Sequence, residues 1–160
     1  MSTARITLYE LHSYNSGDLT PQTFNLDLYN DHAEYQAAVT AWLATVGPRC
    51  EEWVVADSEG IPHNLLGEYD LDPSVFAYLQ HPAGTDAKDA FISHRGSWDV
   101  AQFDESYVGE WISETDYAYE HAERHLNIPE DIQCYFNYDA LAYDIFINDY
   151  YFNDGHVFRR

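Results

Sequence analysis

The sequence predicts an α+β protein, with an N-terminal antiparallel sheet and one helix, a helical middle and a C-terminal mixture of helix and sheet. Short segments of alternating polar and apolar residues occur near both ends of the chain and indicate strands. Segments with helix-capping residues and apolar side chains at helical spacing lie between them. The 160 residues are 46% hydrophobic and 16% aromatic, which is enough to form a packed core.

In the first third of the chain we expect an antiparallel sheet with one helix. Ile6, Leu8 and Glu10 alternate with the residues between them, which predicts a strand over residues 6–11. A turn at residues 15–18 separates it from an antiparallel neighbour over residues 24–29.

The predicted helix of this region begins after Asp31, whose carboxylate can cap the first amides while Glu34 completes a capping box. Gly47 and Pro48 end it. The buried stripe of this helix is expected to consist of Tyr35, Val39, Trp42 and Val46. A strand over residues 51–57 and a turn at residues 58–60 then close a first domain of residues 1–60.

Residues 61–97 are expected to form a helical middle domain built from short pieces. The boundaries of these pieces are Pro or Gly pairs at residues 72–73, 81–82 and 84–85. Pro73 suits the first turn of a helix.

The last domain, residues 98–160, is predicted to mix helix and sheet. Ser113 and Asp116 form a box-like cap for a long helix that ends near residue 126. Residues 128–135 and 138–146 indicate two further helices.

A hairpin is expected to end the chain, with strands at residues 150–152 and 156–158. Asp154 and Gly155 stand between these strands, and this pair supplies the positive backbone angles of a tight turn.

Charge is the property of this sequence that most restricts its function. It has 28 Asp and Glu against 7 Lys and Arg, a formal net charge of -21. Such a charge favours basic partners and excludes nucleic acid as a partner. B-DNA carries roughly one negative charge per 1.7 Å, so 21 charges correspond to about 36 Å of duplex. The linear charge density therefore resembles that of DNA, and a DNA mimic is physically reasonable.

Other features of the sequence give expectations about its compartment. Cys50 and Cys134 have no short spacing, which is typical of neither a disulfide framework nor a zinc site. No run of 18 apolar residues and no signal peptide is visible. We therefore expect a cytoplasmic protein that does not interact with membranes.

Three kinds of sequence pattern could indicate a catalytic or metal site. His121 and His125 lie four residues apart on a predicted helix, but no third ligand is evident. Asp70 and Asp72 resemble the start of a calcium loop, yet Pro73 follows and the later ligands are missing. No nucleophile elbow or phosphate-binding loop is present. We therefore expect no enzyme activity and no cofactor.

Along almost its full length the sequence resembles the antirestriction protein ArdA family. The residues that carry the resemblance are 14–17 (YNSG), 51–60 (EEWVVADSEG), 66–69 (LGEY), 107–111 (YVGEW), 116–118 (DYA), 128–130 (IPE), 138–144 (YDALAYD) and 156–159 (HVFR). Many short blocks in the same order are far more specific than any one block. Two departures stand out: Tyr143 occupies a position where the family usually has Arg, and the middle segment is short.

The resemblance implies three small domains in an elongated, curved rod that mimics bent B-form DNA. It implies binding to the DNA-binding groove of type I restriction–modification enzymes, at the methyltransferase core of specificity and modification subunits. It also implies a homodimer that forms through the C-terminal domain. These are the properties of a protein that protects mobile genetic elements on their arrival in a new cell.

Two groups of residues follow from this interpretation. The acidic surface in place of phosphates is expected to include Glu51, Glu52, Asp57, Glu59, Glu68, Asp70, Asp72, Asp104, Glu105, Glu110, Glu114, Asp116, Glu120 and Glu123. The antirestriction motif and dimer contact are expected to include Leu126, Ile128, Pro129, Ile132, Tyr135, Phe136 and Tyr138.

Three alternatives remain open at the level of sequence. The chain could inhibit another basic nucleic-acid-binding protein, such as a nucleoid protein or a transcription factor. It could be an enzyme with a metal at His121 and His125. Its acidity could instead be an adaptation to high salt, which keeps acidic proteins soluble.

Overall fold

The computed structural model describes residues 3–160 and confirms the α+β class. The chain divides into two compact units. Unit 1 takes in the described residues up to Pro82 together with Arg95–Val100, and unit 2 takes in Ala83–His94 and Ala101–Arg160. The three-domain division expected from the sequence stays a prediction.

Both units contain strands and helices. The strands are β1 (Arg5–Glu10), β2 (Gln22–Asn25), β3 (Trp53–Glu59), β4 (Tyr107–Glu110), β5 (Tyr150–Asn153) and β6 (His156–Arg159). The α-helices are α1 (Leu11–Asn15), α2 (His32–Val46), α3 (Val75–Gln80), α4 (Thr85–Arg95), α5 (Val100–Ser106), α6 (Glu114–His125) and α7 (Tyr138–Asn148). Three 3-10 helices cover Leu26–Leu28, His63–Leu65 and Glu130–Tyr135.

Unit 1 contains an antiparallel sheet with strand order β2-β1-β3. The strand expected at residues 24–29 is instead β2, which ends at Asn25 because the next three residues turn. The Asn25 side chain accepts a hydrogen bond from the Asp27 amide at 3.0 Å and caps this turn. In β3, Asp57 pairs with Thr7 but Val55 pairs with Leu8, so the strand bulges at residue 56.

Helix α2 has the predicted cap but a different buried stripe. The Glu34 amide donates to the Asp31 carboxylate at 2.9 Å. Tyr35 and Val39 are fully buried as predicted, but Trp42 is only partly buried and Val46 is 43% exposed, and Leu43 continues the stripe instead. The stripe is therefore shorter than the sequence pattern, because the last turn of α2 extends beyond the packed core.

Helix α1 was not predicted. It begins directly after β1, where the Glu10 carboxylate accepts hydrogen bonds from the amides of His12 (2.9 Å) and Ser13 (2.6 Å). A side chain on the inward face of a strand thus supplies the cap of the next helix.

Unit 2 has a second sheet with strand order β4-β6-β5. The predicted hairpin joins β5 and β6, and Asp154 (φ 46°) and Gly155 (φ 83°) adopt the positive angles that such a turn requires. β6 is buried on both faces. Phe158 contacts Phe91 at 5.9 Å between ring centroids, while Val157 belongs to a cluster with residues of α6 and α7.

The predicted helices of unit 2 are present. The Asp116 amide donates to the Ser113 hydroxyl at 3.1 Å at the start of α6. The short helix expected near residues 128–135 is the 3-10 helix Glu130–Tyr135. None of the helices within residues 3–160 combines the length and the apolar character that a membrane span requires.

Candidate acidic recognition surface

Nearly all carboxylates of the chain are on its surface. Of the 28 Asp and Glu, 25 are exposed, Asp70 and Glu120 are partly buried, and Glu10 is buried. Because the chain has only 7 Lys and Arg, most of these carboxylates cannot have a basic partner of their own.

The two units share the charge almost equally. Unit 1 has 13 Asp and Glu against 3 Lys and Arg, and unit 2 has 15 against 4. Their formal net charges are therefore -10 and -11. The acidity is a property of both folded units and is not confined to one segment.

Three of the predicted acidic residues in unit 1 share a groove. Glu51, Glu52 and Asp70 line a cavity of about 500 Å³ together with three residues that supply apolar surface, Leu11, Trp53 and Tyr69. Glu51 and Glu52 also line a neighbouring cavity with Arg49. The other acids of unit 1 lie elsewhere: Asp57 and Glu68 line a shallow cavity beside β3, and Glu59 is 3.6 Å from Arg5.

Asp70 and Asp72 also accept hydrogen bonds within unit 1. The Asp70 carboxylate accepts hydrogen bonds from the Leu71 amide (2.8 Å) and from Gln36 (3.1 Å), and it lies 3.4 Å from His32. The Asp72 carboxylate accepts from the Ser74 amide at 2.9 Å. Asp72 remains exposed, whereas Asp70 has fewer free acceptor sites for a partner.

In unit 2 the predicted acidic residues lie on several elements. Those on α5, β4 and α6 that are exposed are Asp104, Glu105, Glu110, Glu114, Asp116 and Glu123. Glu120 differs, because it accepts a hydrogen bond from the Trp111 indole and forms an ion pair with Arg124. Glu120 therefore helps to hold the β4–α6 connection to α6.

The segment predicted to contain the antirestriction motif is largely exposed. Tyr135 is 85% exposed, Ile132 48% and Leu126 39%, and Pro129 is also on the surface. The other three members, Ile128, Phe136 and Tyr138, are partly buried. The rings of Phe136 and Tyr138 pack edge to face, with centroids 4.9 Å apart. This segment therefore presents apolar side chains to solvent on a short, locally packed turn.

Comparison with known proteins identifies the family. The family model described as Antirestriction protein (ArdA) matches residues 8–158. This chain belongs to the ArdA antirestriction family. Comparisons with curated proteins and with solved structures find no match.

Tyr143 is the residue at which this member of the ArdA family was expected to depart from its relatives. It lies on α7 and is 70% exposed, and Ile147, one turn later, is 52% exposed. Position 143 is therefore on the surface of unit 2, so the Arg that the resemblance implies for relatives would not be part of its core.

Sequence analysis of this ArdA chain missed the role of Glu10. Burial alone would raise the pKa of its carboxyl group, but hydrogen bonds from Ser13, His12 and Cys50 hold that pKa below its usual value. The signal was available, since Glu10 follows Ile6 and Leu8 on the inward face of β1. A charged residue at an inward position predicts a local hydrogen-bonding role.

The histidine pair of α6 is present, with ring centroids of His121 and His125 4.6 Å apart. Partial burial and the nearby His125 lower the pKa of His121, while Asp149 opposes this shift. Within residues 3–160, no group of three or more His, Cys, Asp or Glu is arranged to hold a metal ion.

Proposed function

We propose that this ArdA chain inhibits type I restriction–modification enzymes by occupying their DNA-binding groove in place of DNA. The observation that carries the proposal is the exposure of 25 of 28 carboxylates on a folded protein with a net charge of -21. Membership of an antirestriction family supports the choice of a restriction enzyme as the target.

The proposed mechanism is competitive. The carboxylates take the place of DNA phosphates beside the enzyme's Lys and Arg side chains. The release of counterions contributes to the affinity. No covalent chemistry is required of the chain, and we propose that it acts as an inhibitor without catalysis. The fourteen predicted acidic residues form part of this surface.

Some carboxylates already have partners within the chain, which lowers their expected contribution to binding the enzyme. Asp70 and Glu120 already accept two or more hydrogen bonds or ion pairs within the chain. Exposed residues without such contacts, such as Glu51 and Glu114, retain more acceptor sites for a partner. We propose that they contribute more to binding.

We also propose that two chains associate through the exposed apolar segment at residues 126–138. Large apolar side chains with 48% and 85% exposure, at Ile132 and Tyr135, are costly in water and suit an interface. Two chains would carry a formal charge of about -42, comparable to roughly 20 base pairs of duplex.

A competition assay tests the inhibitory function. Labelled cognate DNA is bound to a purified type I methyltransferase core, and the protein is titrated in at 50 and 200 mM NaCl. We expect the protein to displace the DNA at a nearly stoichiometric concentration. Displacement should be weaker at the higher salt concentration. Failure to displace DNA at large excess by a folded protein would reject the proposal and favour another basic target.

Sedimentation tests the dimer. We expect Ile132→Ser to raise the dimer dissociation constant at least tenfold because the interface loses an apolar side chain. Ile112→Ser is the matched control, since Ile112 is 93% exposed in the same unit but outside the segment. An equal effect of both substitutions, or none of Ile132→Ser, would contradict this interface.

A further inference from the structure

The groove in unit 1 combines aromatic and acidic surfaces. Trp53 and Tyr69 line it with Leu11, and Glu51, Glu52 and Asp70 supply carboxylates. Its volume of about 500 Å³ lies in the range of clefts that accommodate small ligands or single side chains.

The exposed ring of Tyr69 lies among negative charges. It is 54% exposed, so its surface is accessible to a partner. A hydrogen bond to Glu68, together with the charges of Glu68 and Glu52, raises the pKa of its phenol. The phenol thus has the Glu68 carboxylate as a hydrogen-bond partner, and the charge of Glu52 also acts on it.

We propose that this groove binds an arginine side chain of the basic partner. The identity of the partner rests on the proposed function, in which the chain binds a basic DNA-binding groove. A guanidinium is planar, can stack on an aromatic ring, and can donate two parallel hydrogen bonds to a carboxylate. The groove presents surfaces for each of these contacts.

Glu51 and Glu52 are the carboxylates that meet the guanidinium. Both are exposed, whereas Asp70 already accepts hydrogen bonds from Leu71 and Gln36. Asp70 then contributes to the groove through its charge.

Arginine suits this site better than lysine. An ammonium ion is compact and strongly hydrated, and it cannot make planar stacking and bidentate contacts together. Leu11 and Trp53 would also cover the apolar stem of the bound side chain. The groove is thus more selective than the rest of the acidic surface, where any cation can replace another.

Charge complementarity supports this occupant. Unit 1 carries a formal net charge of -10, and groups that bind DNA phosphates are rich in arginine. Within residues 3–160, the acids of the groove form no cluster suited to a metal ion.

A peptide titration tests the groove directly. Acetyl-Gly-Arg-Gly-amide is added to the ¹⁵N-labelled full chain, and the same peptide with citrulline or lysine in place of arginine is the control. We expect saturable shifts of the Trp53 indole signal with the arginine peptide, at least threefold weaker binding of lysine, and no response to citrulline. Equal binding of the arginine and lysine peptides, or no shift at Trp53, would overturn the proposal.

Variants test the same groove against the proposed target. We expect Tyr69→Leu, which leaves the charge unchanged, to raise the concentration needed for half-displacement of DNA about 2- to 30-fold. Tyr14→Leu is the matched control because Tyr14 is 46% exposed in the same unit and does not line the groove. Equal effects of the two substitutions would contradict an arginine site.

A second comparison of variants tests the carboxylates of the groove without changing Tyr69. Glu51→Gln with Glu52→Gln is expected to weaken displacement more than Asp18→Asn with Asp27→Asn, although both pairs remove two charges from unit 1. Equal weakening by the two pairs would show that only net charge matters and would overturn the proposal.

The two proposals fail in different ways. If the wild-type chain does not displace DNA, the proposed function is wrong, and the peptide titration still decides whether the groove binds arginine. If the chain displaces DNA but Tyr69→Leu matches Tyr14→Leu, the inhibitory function stands and the arginine site is rejected.

Discussion

At the scale of single residues, Glu10 shows how a charge can stabilise the interior of an acidic protein. It is 3% exposed, yet its carboxylate accepts two backbone amides at the start of α1. Most of the carboxylates repel one another across the surface, whereas this buried one completes a helix end.

We expect Glu10→Gln to lower the free energy of unfolding by about 1–2 kcal/mol at pH 7, because a charged double acceptor is replaced by a neutral single one. Urea unfolding measures this loss. Glu105→Gln, on an exposed position of α5, is the control and should change stability by less than about 0.5 kcal/mol.

The pH dependence of this effect has a defined sign. The pKa of Glu10 is lower in the folded chain than its ordinary value of 4.5. Its stabilisation is therefore complete above that pH and is lost as the pH falls through the folded pKa. The difference between wild type and Glu10→Gln should shrink in acid, and a difference that grew below pH 4.5 would contradict this role.

A second residue-scale prediction concerns His121. Partial burial and the neighbouring His125 lower its pKa because both disfavour the protonated ring. Protonation of His121 therefore costs stability, which is fully retained above the ordinary pKa of 6.5 and falls as the pH drops through the folded pKa. His125→Asn should raise the pKa of His121, measured by its NMR titration. His63→Asn, in unit 1, should leave it unchanged.

At the scale of elements, turn and cap chemistry was the most predictive part of the sequence. Asp31 and Ser113 cap α2 and α6 as expected, and Asp154-Gly155 forms the final turn. These signals are local, because a cap or a tight turn involves residues within three positions of one another.

The hairpin turn gives an element-scale prediction. Gly155 has φ 83°, and an added Cβ would lie 3.6 Å from the Trp111 carbonyl oxygen. Gly155→Ala should cost about 1–2 kcal/mol because an L-residue is strained in this conformation. Thermal or urea unfolding measures the loss.

Gly84→Ala is the control for this prediction. Gly84 is not in a positive-φ conformation, and nothing lies within 4 Å of an added Cβ. Gly84 directly precedes α4, where Ala caps a helix less well than Gly, so the substitution should cost less than about 1 kcal/mol and less than Gly155→Ala. Equal effects at the two glycines would contradict the argument from backbone strain.

At the scale of the whole molecule, a net charge of -21 affects stability as well as recognition. Carboxylates on both units repel one another at low ionic strength, and salt screens this repulsion. We expect the free energy of unfolding to rise between 20 and 200 mM NaCl, while the protein is already folded at the lower concentration. Circular dichroism with urea titration at both concentrations measures this.

The same experiment separates recognition from adaptation to salt. A protein adapted to high salt would be unfolded at 20 mM NaCl and would fold only as salt is added. A folded protein at 20 mM that binds its target less tightly at 200 mM instead fits a surface selected for a basic partner.

The sequence by itself determined the α+β class, the principal caps, the final turn, the charge and the family resemblance. It did so because these depend on composition or on residues close together along the chain. It did not determine the end of β2, the bulge in β3, the short helix α1 or the last turn of α2. Those depend on how segments pack.

Only the tertiary structure decided which acidic residues are free and which are engaged. Leu11, the pair Glu51 and Glu52, and the pair Tyr69 and Asp70 are far apart along the chain, yet they line one groove. Nothing in the sequence around Asp70 distinguishes it from the exposed carboxylates, yet the folded chain places the Gln36 side chain 3.1 Å from it as a hydrogen-bond donor. Folding brings together donors, rings and charges that are far apart along the chain. Local sequence patterns do not predict which of these residues become neighbours.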